Sequence, residues 1–307
     1  MAKKIIFMGT PMFAVPILKS LYQNGYDISA VYTQPPQKSH RGQKINKSPI
    51  QGISETLNLE FRSPDTLKNN KDEYNFIKKL DVDLAIVVAY GQIIPKEYLS
   101  LTKKGFINIH GSILPKWRGA APIQRAIMNM DSETGISIMK IIPRLDAGPV
   151  MLKEKIKISQ EMSYKDLNKK MSEIGAKLIL ESIKLIENNK ANFIEQTESE
   201  ATYANKIQKN ESRINWNESA KKIIAKINAF NPNPGCWFKL ADARIKIIKA
   251  IEIEKSGETG TILDNKMTIA CSTNAVQILE LKKEGKKEML VDEYLKGNEI
   301  KIGQKID

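Results

Sequence analysis

The stretch Val82–Tyr90 reads VDLAIVVAY, and it decides the fold class. Its nearly unbroken run of apolar residues is typical of a strand buried on both faces, as in parallel sheets that helices cover on both sides. Two similar runs flank it along the chain, KIIFM at Lys4–Met8 and FINIH at Phe106–His110. A glycine directly follows each run, which marks a turn. The three runs together predict the centre of a parallel sheet.

Segments with helical spacing alternate with these strands. Phe13–Tyr22 predicts a helix that leads into a second strand at Asp27–Thr33, and Gly135–Ile142 predicts a later strand. A long helix follows Ser163, which forms a capping-box pattern with Asp166. This alternation predicts an α/β domain with a Rossmann-like, mostly parallel sheet.

The length of 307 residues suggests two domains. We predict a first domain at 1–189, a polar connection at 190–208 and a second domain at 209–307, because polar residues dominate from about Asn188 to Gln208. The second domain has a predicted helix at Ser219–Phe230 and a series of short strands: Gly235–Leu240, Arg244–Ile253, Thr261–Leu263, Met267–Cys271 and Val276–Leu281. Short strands in series suggest a small, OB-like β-barrel.

The net charge, the longest apolar run and the cysteine count favour some functional classes and exclude others. A net charge of +13, from 48 basic and 35 acidic residues, favours polyanionic partners such as nucleic acid. The longest apolar run, Leu84–Ala89, is far shorter than the roughly 20 residues of a membrane span, so we expect no membrane contact. Cys236 and Cys271 are too few and too isolated for a disulfide framework or a zinc site, which favours a cytoplasmic protein without a metal.

The first predicted turn, Gly9-Thr10-Pro11, bears on two alternatives. Ile5–Leu18 follows two lysines and resembles a secretion signal, but this turn interrupts the uniform apolar run that such a signal has. The turn also lacks the three-glycine spacing of a dinucleotide site, which disfavours a nicotinamide-dependent oxidoreductase.

Three polar residues form the strongest candidate for a catalytic site. Asn108 and His110 are two apart near the end of a predicted strand and therefore share a face. Asp146 follows the Gly135–Ile142 strand and is within reach of the same crevice. A carboxylate orients an imidazole, and a carboxamide donates to a developing oxyanion. Because no serine or cysteine lies in a nucleophile elbow, direct attack by a substrate amine on a carbonyl fits better than a covalent enzyme intermediate.

Several motifs carry a family resemblance. The run Asn108–Ile123, with Val87–Gly91 and Leu145–Gly148, closely resembles the methionyl-tRNA formyltransferase family. The resemblance continues through Arg213–Trp216 and Ala229–Pro232, and so spans nearly the whole chain. It implies transfer of a formyl group from the co-substrate 10-formyltetrahydrofolate to the amino group of methionyl initiator tRNA by a monomer, with Asn108, His110 and Asp146 as the catalytic triplet.

The resemblance also implies the binding residues. The folate would lie against Tyr90, Gly91, Ser112, Ile113, Leu114 and Pro115, a mostly apolar wall. Thr33–Pro49 reads as a long, structureless basic loop, which is uncommon unless functional or disordered. In the family it contacts the acceptor end of the tRNA. The expected tRNA contacts are Lys38, Arg41, Lys44, Lys206 and Arg213.

Two alternatives stay open from the sequence. One is a formyltransferase that acts on a sugar-nucleotide amine, which needs the catalytic triplet but no basic loop. The other is a non-catalytic RNA-binding protein, in which the convergence of Asn108, His110 and Asp146 would be accidental. The chain also departs from the family pattern at Pro149, which follows Gly148 where many members have an acid.

Overall fold

The computed structural model describes residues 4–39, 44–241 and 243–306, with only the backbone of 37–39, 44 and 45. These residues form two compact units. Unit 1 comprises the chain up to Pro122, Thr134–Ile156 and Asn168–Asn205. Unit 2 comprises Ile123–Glu133, Lys157–Leu167 and the chain from Lys206. The domain boundaries inferred from composition stay a prediction.

The first part of the chain contains eleven strands, most of them in one sheet. In chain order they are β1 (Lys4–Gly9), β2 (Asp27–Tyr32), β3 (Gln37–Ser39), β4 (Lys44–Asn46), β5 (Phe61–Arg62), β6 (Leu84–Val88), β7 (Phe106–His110), β8 (Arg118–Gly119), β9 (Glu133–Lys140), β10 (Val150–Lys157) and β11 (Tyr203–Ala204). Seven of them form a sheet in the order β10-β9-β7-β6-β1-β2-β5. Neighbours from β5 to β7 pair in parallel, which confirms the Rossmann-like fold class.

Helices cover this sheet, as its buried strands require. The α-helices of unit 1 are α1 (Val15–Gln23), α2 (Pro49–Thr56), α3 (Lys71–Leu80) and most of α5 (Tyr164–Glu187), whereas α4 (Pro122–Met128) belongs to unit 2 from Ile123 onward. α1 buries Ile17, Leu18 and Leu21 on one face, at the spacing of an amphipathic helix. A Cβ at Gly175 of α5 would lie 3.2 Å from both Ile17 and Ile109, so glycine allows this helix to approach closely.

β9 runs against its neighbour. It pairs antiparallel with β7, with Ile107 opposite Lys140 and His110 opposite Ser137. The end of β9 therefore lies beside the beginning of β7, and residues 141–149 must turn back before a side chain among them can reach His110. A strand pattern alone does not reveal the pairing direction, so the sequence did not predict this return.

Two sequence expectations need correction. Thr33–Pro49 is not structureless, because β3 and β4 pair antiparallel from Gln37–Asn46 to Ser39–Lys44. Thr261–Leu263 does not form a strand, since Thr261 and Ile262 make only isolated bridges, to Lys305 and Ile269. Short pairings of this kind depend on the partner segment and leave little trace in one segment's own sequence.

The segment expected to be a polar connection contributes backbone pairs to unit 1. Ile194 exchanges two backbone hydrogen bonds with Val150, at 2.8 and 2.9 Å. Further on, β11 pairs in parallel with β8. Residues 194–204 are thus built into the same unit as the sheet.

Unit 2 contains a five-stranded antiparallel sheet and two further helices. Its elements are α6 (Ala220–Phe230), β12 (Cys236–Leu240), β13 (Ala243–Ile253), β14 (Thr268–Ala270), β15 (Ala275–Lys283), β16 (Met289–Leu290) and α7 (Val291–Leu295). The sheet order is β12-β13-β15-β14, with β16 on β15, which agrees with the expected small barrel-like domain. Across the described ranges, no helix is long and apolar enough to cross a membrane.

Candidate active site

β7 positions the first two residues of the predicted triplet. Asn108 lies between Val87 of β6 and Met139 of β9, and His110 pairs with Ser137 at the end of the strand. The His110 side chain is only 6% exposed, whereas Asn108 is half-buried. Among the described residues, the Asn108 amide has no hydrogen-bond partner. It therefore remains available to donate to a bound substrate.

The His110 ring faces two acceptors. Its Nε2 lies 2.9 Å from the Trp117 carbonyl oxygen, and its Nδ1 lies 3.7 Å from Asp146 Oδ2. The Trp117 carbonyl only accepts hydrogen bonds, so Nε2 carries the proton of this hydrogen bond. The 3.7 Å separation exceeds hydrogen-bond length, so Nδ1 faces Asp146 without donating to it directly.

The backbone of β8 fixes the Asp146 carboxylate. The Gly119 N–H donates to Asp146 Oδ2 at 2.8 Å. Gly119 has φ of +118°, and a Cβ there would lie 2.8 Å from the Ala204 carbonyl oxygen, so only glycine fits without displacement. Asp146 itself has φ of +44°, a region that Asp and Asn tolerate better than most residues. His110 and Asp146 therefore meet, despite the antiparallel course of β9, and Asn108 shares a face of β7 with His110.

The predicted folate residues divide into two groups. Ser112 and Leu114 are fully buried, and they form a fixed loop in which Ser137 donates to the Ser112 carbonyl and Lys153 donates to the Leu114 carbonyl at 2.6 Å. Tyr90 is also buried. The half-buried Ile113 and Pro115 and the exposed Gly91 keep accessible surface.

Apolar side chains are also exposed in the loops that follow β6 and β9. Besides Ile113 and Pro115, Ile93 is 89% exposed two residues after Gly91, and Leu145 is 63% exposed beside Asp146. At Pro149, where the chain departs from the family pattern, the backbone carbonyl accepts a hydrogen bond from the Lys140 N–H. This bond supports the loop at residues 141–149, which carries Asp146.

The predicted tRNA residues are distributed between both units. Arg41 lies outside the described residues, and Lys38 and Lys44 belong to the β3–β4 pair. Lys206 and Arg213 are exposed in unit 2, where Arg213 lies 5.9 Å from the Trp237 ring centre.

Unit 2 also has a basic pocket that the sequence analysis missed. The Arg244 guanidinium stacks 3.9 Å from the centre of the Trp237 ring. The pocket is lined by Pro234, Gly235, Trp237, Arg244, Lys246, Lys282, Lys283, Glu284 and Gly285. Burial and the nearby Lys282 lower the pKa of Lys246 below its usual range. Arg244 and Lys246, two apart on a predicted strand, were the available signal, because such residues share a face.

Within the described part of the chain, no group of three or more His, Cys, Asp or Glu side chains is arranged to hold a metal ion.

Comparison with known proteins identifies the family. Residues 3–183 match the family model described as formyl transferase, and residues 206–299 match the formyl transferase C-terminal domain. The chain is 55% identical to a methionyl-tRNA formyltransferase of Pelagibacter ubique (strain HTCC1062), over 100% of this chain and 99% of the relative. A methionyl-tRNA formyltransferase of Brucella anthropi is 40% identical, over 97% of this chain and 98% of the relative.

Solved structures share the fold at lower identity. HypX from Aquifex aeolicus, in complex with tetrahydrofolic acid, has a TM-score of 0.67 at 17% identity, and the alignment covers 96% of this chain but 47% of HypX. An N-formyltransferase from Helicobacter canadensis has a TM-score of 0.69 at 20% identity, over 91% of this chain and 99% of that structure. The full-length identities, together with both family models, show that the chain belongs to the methionyl-tRNA formyltransferase family.

Proposed function

We propose that the protein transfers the formyl group of 10-formyltetrahydrofolate to the free amino group of methionyl initiator tRNA, for translation initiation. The observation that carries this proposal is the approach of His110 Nδ1 to within 3.7 Å of Asp146 Oδ2, at the end of the strand on which Asn108 shares a face with His110. Membership of the family supports both the reaction and its two substrates. The catalytic roles below are inferred from the geometry.

The triplet matches the charge that develops in this reaction. The methionyl nitrogen bonds to the formyl carbon, and negative charge grows on the formyl oxygen. The Asn108 amide donates to that oxygen, and so does His110 through Nδ1, since Nε2 is already paired with the Trp117 carbonyl. The carbon–nitrogen bond to the folate then breaks, and the proton released by the amine neutralises the folate nitrogen. Asp146 stabilises the positive ring of His110 throughout.

The predicted folate residues form a mostly apolar surface, which suits the flat pterin ring of the co-substrate. We assign Ile113, Pro115 and Gly91 to the surface that contacts the pterin, and Tyr90, Ser112 and Leu114 to the frame that holds this surface in place. 10-Formyltetrahydrofolate supplies the formyl group.

Unit 2 and the basic segment of unit 1 are assigned to the tRNA. Arg41, with Lys38 and Lys44, is proposed to contact the acceptor end, and Lys206 and Arg213 the remainder. The barrel-like unit 2 is proposed as a tRNA-binding domain, and its basic pocket around Trp237 and Arg244 supports this assignment. We further propose that the protein acts as a monomer in the cytoplasm.

A direct assay tests the function. The protein is incubated with 10-formyltetrahydrofolate and one of three acceptors: methionyl initiator tRNA, methionyl elongator tRNA or an amino-sugar nucleotide. We expect efficient formylation of the initiator alone. Formylation of the sugar nucleotide would identify a sugar N-formyltransferase. Binding of tRNA without any transfer would identify a non-catalytic RNA-binding protein.

Arg41→Ala should weaken tRNA binding without affecting chemistry. We expect Kd for methionyl-tRNA to rise about tenfold and the slope of log K against log salt concentration to fall by about one, because one phosphate contact is lost. Lys103→Ala is the control, since it removes one charge from unit 1 at a residue paired with Asp81 and Asp83. The value of kcat at saturating tRNA should stay near wild type. Equal affinities of both variants across several salt concentrations would remove Arg41 from the proposed interface.

A further inference from the structure

The Asp146 loop requires support from outside the sheet. β9 ends beside the beginning of β7, so residues 141–149 return along β7 as a loop rather than as a strand extension. Asp146 therefore cannot rely on a β-ladder to keep its carboxylate near His110. A displacement of about 1 Å in such a site costs up to about a hundredfold in rate.

Gln196 supplies two hydrogen bonds to this loop. Its Nε2 donates to the Asp146 carbonyl at 2.9 Å and to the Gly148 carbonyl at 2.7 Å. One side-chain amide thus holds the backbone on both sides of Ala147. Both loop carbonyls point at the same donor, so the amide fixes the turn that carries Asp146.

Arg118 orients the Gln196 amide. Arg118 is 1% exposed, and its Nε donates to Gln196 Oε1 at 3.1 Å. Because an arginine only donates, it selects the amide oxygen and leaves Nε2 to face the two carbonyls. Glu198 accepts from Arg118 Nη1 at 3.0 Å and also pairs with Arg144 of the loop at 2.6 Å. The buried guanidinium therefore connects the Asp146 loop with residues 196–198.

Thr202 supports the histidine side of the site in the same way. Its Oγ1 accepts from the Trp117 N–H at 2.9 Å. The carbonyl of that same residue, Trp117, faces His110 Nε2. Trp117 has φ of +60°, so its backbone is held in a region that non-glycine residues seldom adopt.

We propose that Gln196–Ala204, here called the clamp, is a positioning element for catalysis, in which Gln196 positions Asp146 and Thr202 positions the Trp117 carbonyl that pairs with His110. The role of the clamp in turnover rests on the proposed formyl transfer. The placement of the His110 imidazole by the clamp does not depend on formyl transfer.

Three substitutions test the clamp. Gln196→Met keeps the length of the side chain and removes its donor, and Thr202→Val keeps the shape and removes the acceptor. We expect kcat to fall about 10- to 100-fold in Gln196→Met and less in Thr202→Val, with KM for both substrates within twofold of wild type. Thr202→Ser restores the hydroxyl and should restore kcat. Gln304→Met, which loses only a contact to Lys301 N–H, is the matched control.

A second measurement needs no substrate. The chain has two histidines, so ¹⁵N NMR of the imidazoles gives two sets of signals, and His40→Gln assigns them. In Gln196→Met and Thr202→Val, the His110 signals should move while thermal unfolding stays cooperative. His110 signals at wild-type positions in both variants would overturn the clamp even if the wild-type protein showed no formyl transfer. Unchanged kcat in both variants, or no rescue by Thr202→Ser, would also overturn it. If Gln196→Met does not fold, kcat and the His110 signals of Thr202→Val and Thr202→Ser decide whether the clamp positions the site, because Thr202 is exposed.

Discussion

Replacing His110 with alanine should lower kcat for methionyl-tRNA formylation by about 10²- to 10³-fold. The ring provides one of the two proposed donors to the formyl oxygen, and removing one such donor typically raises the barrier by about 3 to 4 kcal/mol. The neighbouring Asp146 would also lose the imidazole ring that it faces at 3.7 Å. The measurement is single-turnover transfer from 10-formyltetrahydrofolate to methionyl initiator tRNA.

Two further readouts separate chemistry from folding in this variant. Affinity for methionyl-tRNA should stay within about twofold of wild type, because His110 is nearly buried and contacts only backbone and Asp146 among the described residues. The thermal midpoint should remain within a few degrees. A comparable loss of tRNA binding and turnover would indicate a folding defect. Turnover near that of the wild type would exclude His110 from the reaction.

Asp146→Asn should be at least as damaging to kcat. The amide is nearly isosteric, its oxygen can still accept from the Gly119 N–H, and Asn tolerates the left-handed backbone at this position. What disappears is the negative charge that stabilises the imidazolium. Loss of such an orienting carboxylate costs up to about 10⁴-fold in catalytic triads, and we expect a reduction between about 10² and 10⁴ here.

Asp81→Asn is the matched control for Asp146→Asn. Asp81 also has positive φ, +47°, and lies in unit 1, but its side chain is 75% exposed and pairs with Lys103. The same chemical change should leave kcat within twofold of wild type. If both variants lost activity equally, the charge at Asp146 would have no special role.

The sequence predicted the centre of the fold and the triplet for physical reasons. Strands such as β1 and β6 are buried on both faces, so their apolar runs are nearly continuous and easily recognised. Asn108 and His110 share a face by strand geometry alone. Strand geometry and side-chain chemistry made them catalytic candidates together with Asp146, the family resemblance implied the same triplet, and the approach of His110 to Asp146 agrees with it.

The remaining features depend on partners that a local pattern does not show. Gln196, Glu198 and Thr202 look like residues of a solvated connection, and composition does not distinguish them from polar residues that pair with a buried guanidinium or with loop backbone. The direction of β9 likewise depends on its pairing with β7. Arg118 gave no clear cue, because Lys116 two residues earlier is also charged and is exposed, and only the structure shows that Arg118 is buried.

The parallel pairing of β8 with β11 determines how the protein can be dissected. A fragment cut at residue 189 would retain Asn108, His110 and Asp146, yet it would lose Gln196, Thr202 and the Ala204 carbonyl that accepts from the Ala120 N–H. We therefore expect an active fragment to extend at least through Ala204. Genetic fusions or domain exchanges that join a foreign sequence upstream of that residue would remove part of the reaction centre's own scaffold.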